Sequence, residues 1–223
     1  MGHFFAASAF RASTPEAIGA AVVAYGEKHR VGVSLVLGQS RASETSDALL
    51  YAPENDWTVA IWPRYFNIHD VPLCASVSAS LGIVAVTVNV YEGAFWSMEV
   101  LDSGRLVDLF SPWGDYFAEN DEAAAAERIK WLGDPEKAAA TLGSTANVLR
   151  PYYRYVGDQT PGKASADDQF PLEDFWVFTD IWRRLGVIYP ENPDTFVAKV
   201  RFGKQFGRAL PGWGGESLEI GPV

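Results

Sequence analysis

The chain is poor in the residues from which covalent and metal scaffolds are built. It has one cysteine, Cys74, so an internal disulfide framework is excluded. Its three histidines, His3, His29 and His69, are scattered, and with a single cysteine they give no zinc-ligand spacing. No Asn-x-Ser/Thr acceptor occurs. Positive charge is also scarce: 18 Lys and Arg against 28 Asp and Glu leave a formal charge of −10. Such a surface repels phosphate backbones and anionic lipid, so nucleic acid and membrane surfaces are not expected partners. No apolar run reaches the length of a membrane-spanning helix. The opening MGHFFAASAFRAS lacks a basic region ahead of its apolar part, so a signal peptide is not expected and the expected location is cytoplasmic.

Apolar residues make up 48% of the 223 positions, enough for a sizeable core. The clearest pattern lies at 83–117. Val84, Val86, Val88 and Val90 alternate onto one face, as a strand requires. Glu92-Gly93 supplies a turn, Phe95 to Leu101 a second strand, Asp102-Ser103-Gly104 another turn, and Leu106 to Phe110 a third strand. Upstream, residues 3–12 read as a first strand. Ser13-Thr14-Pro15-Glu16 opens a helix that closes near Lys28-His29. Strands follow at Val33–Leu37, Ala48–Tyr51 and Trp57–Trp62. A second helix spans roughly 70–81, with Asn67 or Asp70 as its cap and Leu73, Val77 and Leu81 on its buried face.

This order predicts an α+β fold, a mainly antiparallel sheet carrying two helices on one face. Residues 1–117 form that core. Residues 118–190 form a helical extension packed on it, with helices opening at Asn120 or Asp121, at Asp134-Pro135, at Ser144 or Thr145, and over Glu173–Leu185. The Pro- and Gly-containing tail 191–223 is expected to be an extended C-terminal arm, with exchange between copies as one way to a homo-oligomer.

Chemistry is thinly signalled. His69 beside Asp70 could do acid–base work, but adjacent residues seldom aim at one atom, and a capping turn is favoured. Gly38-Gln39-Ser40-Arg41-Ala42 resembles a degraded nucleophile elbow without the helix that such a turn needs. Asp167-Asp168 with Glu173-Asp174 lacks the alternating ligands of a calcium loop, so no metal or other cofactor is expected. Gly212-Trp213-Gly214-Gly215 has no following helix to present amides to a phosphate. Eight tryptophans are the most unusual feature, and most of them are expected in the core. Two binding candidates remain. One is the loop 111–117 with Trp113, Tyr116 and Phe117. The other is a pocket between sheet and helices lined by Trp57, Trp62 and Trp96, with His69 and Asp70 as polar handles.

The segments GRLVDLFSPWGDYF (104–117), WLGDPEKAAATLG (131–143) and DDQFPLEDFWVFTDIWRRLGVIYP (167–190) resemble uncharacterised bacterial proteins of similar layout. That resemblance covers the latter half of the chain and implies one intact unit and a bacterial source, with no activity attached. The leading expectation is therefore a non-catalytic module that recognises another protein, in a regulatory or immunity-type role. The alternative is an enzyme or binder acting on a small apolar molecule.

Overall fold

The computed structural model describes residues 3–158, 162–204 and 206–213. Its centre is one eight-stranded antiparallel sheet. The strands are β1 (Phe5–Arg11), β2 (Val33–Leu37), β3 (Asp47–Leu50), β4 (Trp57–Ile61), β5 (Val84–Tyr91), β6 (Phe95–Asp102), β7 (Arg105–Phe110) and β8 (Ala198–Phe202). Across the sheet they run β2-β8-β3-β4-β1-β5-β6-β7. The helices are α1 (Pro15–Lys28), α2 (Asp70–Leu81), α3 (Asp121–Lys130), α4 (Pro135–Thr141), α5 (Ala146–Leu149), α6 (Val177–Arg184) and α7 (Phe206–Ala209).

Local chemistry explains the predicted elements. Thr14 caps α1 by accepting the Ala17 amide, with Pro15 at the first helical position. Both hairpin turns of the β5-β6-β7 meander take paired positive φ angles, at Glu92-Gly93 and at Ser103-Gly104, which match the twist of the strands they join. The second turn also docks on α2: Ser78 Oγ accepts the Gly104 amide at 3.0 Å. A Cβ on Gly104 would lie 2.5 Å from the Ala79 Cβ and 3.1 Å from the Ala75 carbonyl. Gly104→Ala is accordingly expected to cost about 1–2 kcal/mol, read as a Tm lowered by a few degrees.

α1 and α2 lie on one face of the sheet. There Ile18, Val22, Leu73 and Val77 pack on Ala6, Phe10, Ala60, Leu101 and Val200. The second face is formed by Ala7, Val59, Val86, Val88, Val90 and Met98, and the 131–190 region covers it through Leu142, Leu149, Tyr152, Phe178 and Trp182. The second helical layer is held by carboxylates used as ties. Asp108 accepts the Tyr153 hydroxyl and the Asp134 amide. Asp168 accepts from Tyr152 Oη, the Ser165 amide and Arg184.

Three expectations are corrected. The region 191–223 is not simply an arm, because β8 sits inside the sheet between β2 and β3, pairing with both. Among the described residues 203–204 and 206–213 follow it, and the expected reach of the arm beyond Trp213 lies outside the described residues. The helix expected from Ser144 or Thr145 through Tyr155 stops at Leu149, where Pro151 follows within two residues. The aromatic helix expected from Glu173 begins only at Val177, after a turn in which Asp174 binds the Trp176 amide.

Candidate functional site

One end of the sheet, where β1 and β6 begin and β4 and β5 end, concentrates the aromatic residues left outside the core. The segment before α2, the β5–β6 hairpin, the loop after β7 and the C-terminal segment meet there. They enclose a pocket of about 300 Å³. Asn67 and Ile68 precede α2, Asn89 and Tyr91 come from β5, and Phe95 from β6. Phe117 ends the loop after β7, Trp131 caps α3, and Trp213 closes the side. Trp213 is positioned by its backbone, whose amide donates to the Ile68 carbonyl at 2.7 Å.

The rings form a continuous chain around the opening. Tyr91 and Phe117 meet at 5.2 Å, Phe95 and Phe117 at 5.1 Å, Phe95 and Trp131 at 5.4 Å, and Trp131 and Trp213 at 6.1 Å between centroids. Tyr116 stands edge-on to Phe117, and Phe4 links Tyr91 to Tyr65. Tyr65, Ile68, Tyr116 and Phe117 are 41–58% exposed, so this is an apolar surface and not a sealed core.

Beneath the pocket lies a polar row on the α2 side of the sheet. Ser8, Thr87 and Glu99 are direct register neighbours across β1, β5 and β6, and Asn89 pairs with Ser97 one step nearer the pocket. α2 seals this row from solvent. Thr87 Oγ1 donates to Asp70 Oδ2 at 2.7 Å, Ser97 Oγ to Glu99 Oε1 at 2.5 Å, and Asn89 Nδ2 to Ser97 Oγ at 2.7 Å. Trp62 Nε1 donates to Ser8 Oγ at 2.6 Å, and Cys74 Sγ lies 3.0 Å from the same oxygen. Asp70 and Glu99 are fully buried, and neither makes an ion pair among the described residues. Asp70 Oδ1 has no hydrogen-bond partner there. Burial raises the pKa of both carboxyls. Glu99 is raised further by the charge of Asp70, so Glu99 holds its proton the more firmly. Burial, with Asp70 adding to it, also pushes the Cys74 thiol up, which keeps it protonated and unreactive.

The structure distributes the candidate residues unevenly. Phe117 lines the pocket, and Tyr116 packs on it. Trp113 is half-buried in the same loop and does not reach the pocket. The pocket expected among Trp57, Trp62 and Trp96 is not formed. Trp57 and Trp96 belong to the core of the second face, whereas Trp62 lies on the α2 face, stacked on Phe66. Asp70 does not cap α2: His69 occupies the cap position without a side-chain bond, and the Asp70 carboxylate turns in to the sheet. His69 is turned away from Asp70's partners, donating from Nδ1 to the Pro211 carbonyl at 2.9 Å beside Phe206. It is an anchor for the C-terminal segment.

Other candidates resolve into structural roles. Ser40 borders a hollow of about 500 Å³ where a buried ion pair joins Lys199 to Asp47; the lysine also donates to the Arg41 carbonyl. Among the described residues no histidine lines that hollow. Asp167 and Asp168 are taken up by Arg183 and Arg184. Among the described residues no group of three or more His, Cys, Asp or Glu is disposed to hold a metal ion, and no helix is long and apolar enough to cross a membrane.

The polar residues that sequence reasoning missed are Thr87, Asn89, Ser97 and Glu99. They alternate with the apolar residues of β5 and β6, and such alternation normally marks a solvated face. The available signal was that two apolar helices precede these strands and must cover that same face.

No protein-family model matches the chain, and no curated protein and no solved structure is detectably similar to it.

Proposed function

We propose that the chain is a non-catalytic binding module of the cytoplasm that recognises another protein, in a regulatory or immunity-type role, through the aromatic end of its sheet. The observation that carries this reading is the continuous ridge Tyr65–Phe4–Tyr91–Phe117–Tyr116, exposed at Tyr65, Phe117 and Tyr116 and half-buried at Phe4 and Tyr91, with a pocket at its side. Aromatic anchors around a pocket are the usual energetic centre of a protein interface. Exposed carboxylates adjoin the ridge in sequence, Glu92 after Tyr91 and Glu119, Asp121 and Glu122 after Phe117. They favour a partner whose facing surface is basic. A small apolar molecule in the pocket is the second reading, favoured by the largely apolar walls of the cavity.

Native mass spectrometry of gently purified protein separates the two. A co-purifying protein is expected for the natural sequence. The double variant Tyr116→Ser, Phe117→Ser should weaken that complex about thirtyfold. Its thermal unfolding should hardly move, because both side chains are exposed. Undiminished retention of the partner by the double variant, or a small molecule carried in its place, would overturn the protein-recognition reading.

A further inference from the structure

The pocket also specifies the charge of what enters it. The face of an aromatic ring is the negative end of its quadrupole and attracts cations, most strongly for tryptophan. Five rings, those of Tyr91, Phe95, Phe117, Trp131 and Trp213, line this cavity, and among the described residues no lysine or arginine does. Asn89 joins the cavity to the buried row. Its amide nitrogen donates inward to Ser97 and Glu99, which leaves the carbonyl oxygen free of those two bonds, and the residue also lines the cavity. The nearest lysine in the sequence, Lys130, pairs with Glu127 at 3.5 Å and lies 5.7 Å from the Trp131 ring centre.

We propose that the pocket receives one cationic side chain, a lysine or arginine projecting from the protein partner. This rests on the protein-recognition reading above and deepens it. The aliphatic stem packs along Ile68 and the ring edges. The charged head sits against the ring faces and donates to Asn89 Oδ1. A cavity of about 300 Å³ is at the small end for ligand sites, which suits one side chain better than a cofactor-sized molecule. Bare carboxylates at the opening would bind surface cations indiscriminately. Aromatic faces instead hold a cation whose aliphatic stem packs beside them, which favours a side chain over a metal ion.

The test uses the isotopically labelled full chain and three probes with a common backbone and an unbranched aliphatic stem: the Nα-acetyl methylamides of lysine, arginine and norleucine. Both cationic probes should give saturable shifts at the Trp131 and Trp213 indoles, and at least about fivefold tighter binding than norleucine. Phe117→Leu keeps an apolar side chain but removes one ring face, so it should erase the cationic preference and leave norleucine affinity within about twofold. Equal or tighter binding of norleucine overturns the inference, as does the absence of saturable shifts with either cation. Neither result bears on whether the aromatic ridge holds a protein, because that is decided by co-purification with the Tyr116 and Phe117 double variant.

Discussion

Raising the pH from about 5 to about 8 is expected to destabilise the protein by about 2–4 kcal/mol. The cause is the buried pair under α2. The Asp70 carboxyl is pushed up to about 7, chiefly by burial, and Glu99 lies well above its ordinary value by burial and by the charge of Asp70. In the unfolded chain both titrate near pH 4. Between these limits the folded state binds more protons than the unfolded state, so stability is full at mildly acidic pH and falls as pH rises. Carboxylates held below their usual range, such as Asp47 and Asp115, act in the opposite sense only at lower pH, where their unfolded forms begin to protonate. His29, lowered by partial burial and then by Lys28, also opposes the trend, but it is partly exposed and its contribution is small. Asp70→Asn keeps an acceptor for the Thr87 hydroxyl and removes the ionisation, so it should flatten the profile and be the more stable form at about pH 8. Urea unfolding of both proteins across this range measures it. Stability that climbs from pH 5 to 8 in the natural sequence, or an Asp70→Asn variant weaker than the natural protein at pH 8, would show that the pair is ionised and compensated.

The second large effect concerns the tryptophans that stayed in the core. Trp182→Ala should cost about 3–5 kcal/mol and lower Tm by about 10 °C or more. Trp182 is fully buried among Phe178, Tyr189 and the second face of the sheet. Its indole nitrogen has no hydrogen-bond partner among the described residues, and neither does that of Trp96. Its contribution is therefore packing, and Trp182→Phe should recover most of the loss, leaving about 1–2 kcal/mol. Thermal unfolding of the two variants side by side provides the comparison. Equal losses for Phe and Ala would mean that the indole N–H is bonded after all.

How much of this was legible can be argued strand by strand. The face of Val84, Val86, Val88 and Val90, the turns at Gly93 and Gly104 and the cap at Thr14 all follow from local chemistry, and the sheet confirms them. β8 was also written in plain alternation, with Ala198, Val200 and Phe202 on one face and Lys199 and Arg201 on the other. Its flanking prolines and glycines make the same residues read as an arm. Pairing is a long-range property, and composition does not report it. Strand parity could have separated Trp57 from Trp62, since an odd spacing puts them on opposite faces. The pocket was legible only at Phe117. Its other walls come from five separate segments, and only the folded chain brings Tyr91, Trp131 and Trp213 together.

The placement of β8 has a consequence for how the molecule is assembled. β2 reaches the rest of the sheet only through β8, its register partner from Val33 to Leu37. During vectorial synthesis the meander and its neighbours β1 and β4 can pair early, while β2 waits, edge unsatisfied, until β8 has left the ribosome. Closing so long a loop is slow. The interval leaves one hydrogen-bonding edge of β3 and both edges of β2 open to other chains. Crowded nascent copies are thus exposed to mispairing until β8 emerges, and β2 and β8 should gain protection from hydrogen exchange together, as one cooperative unit that forms after the meander.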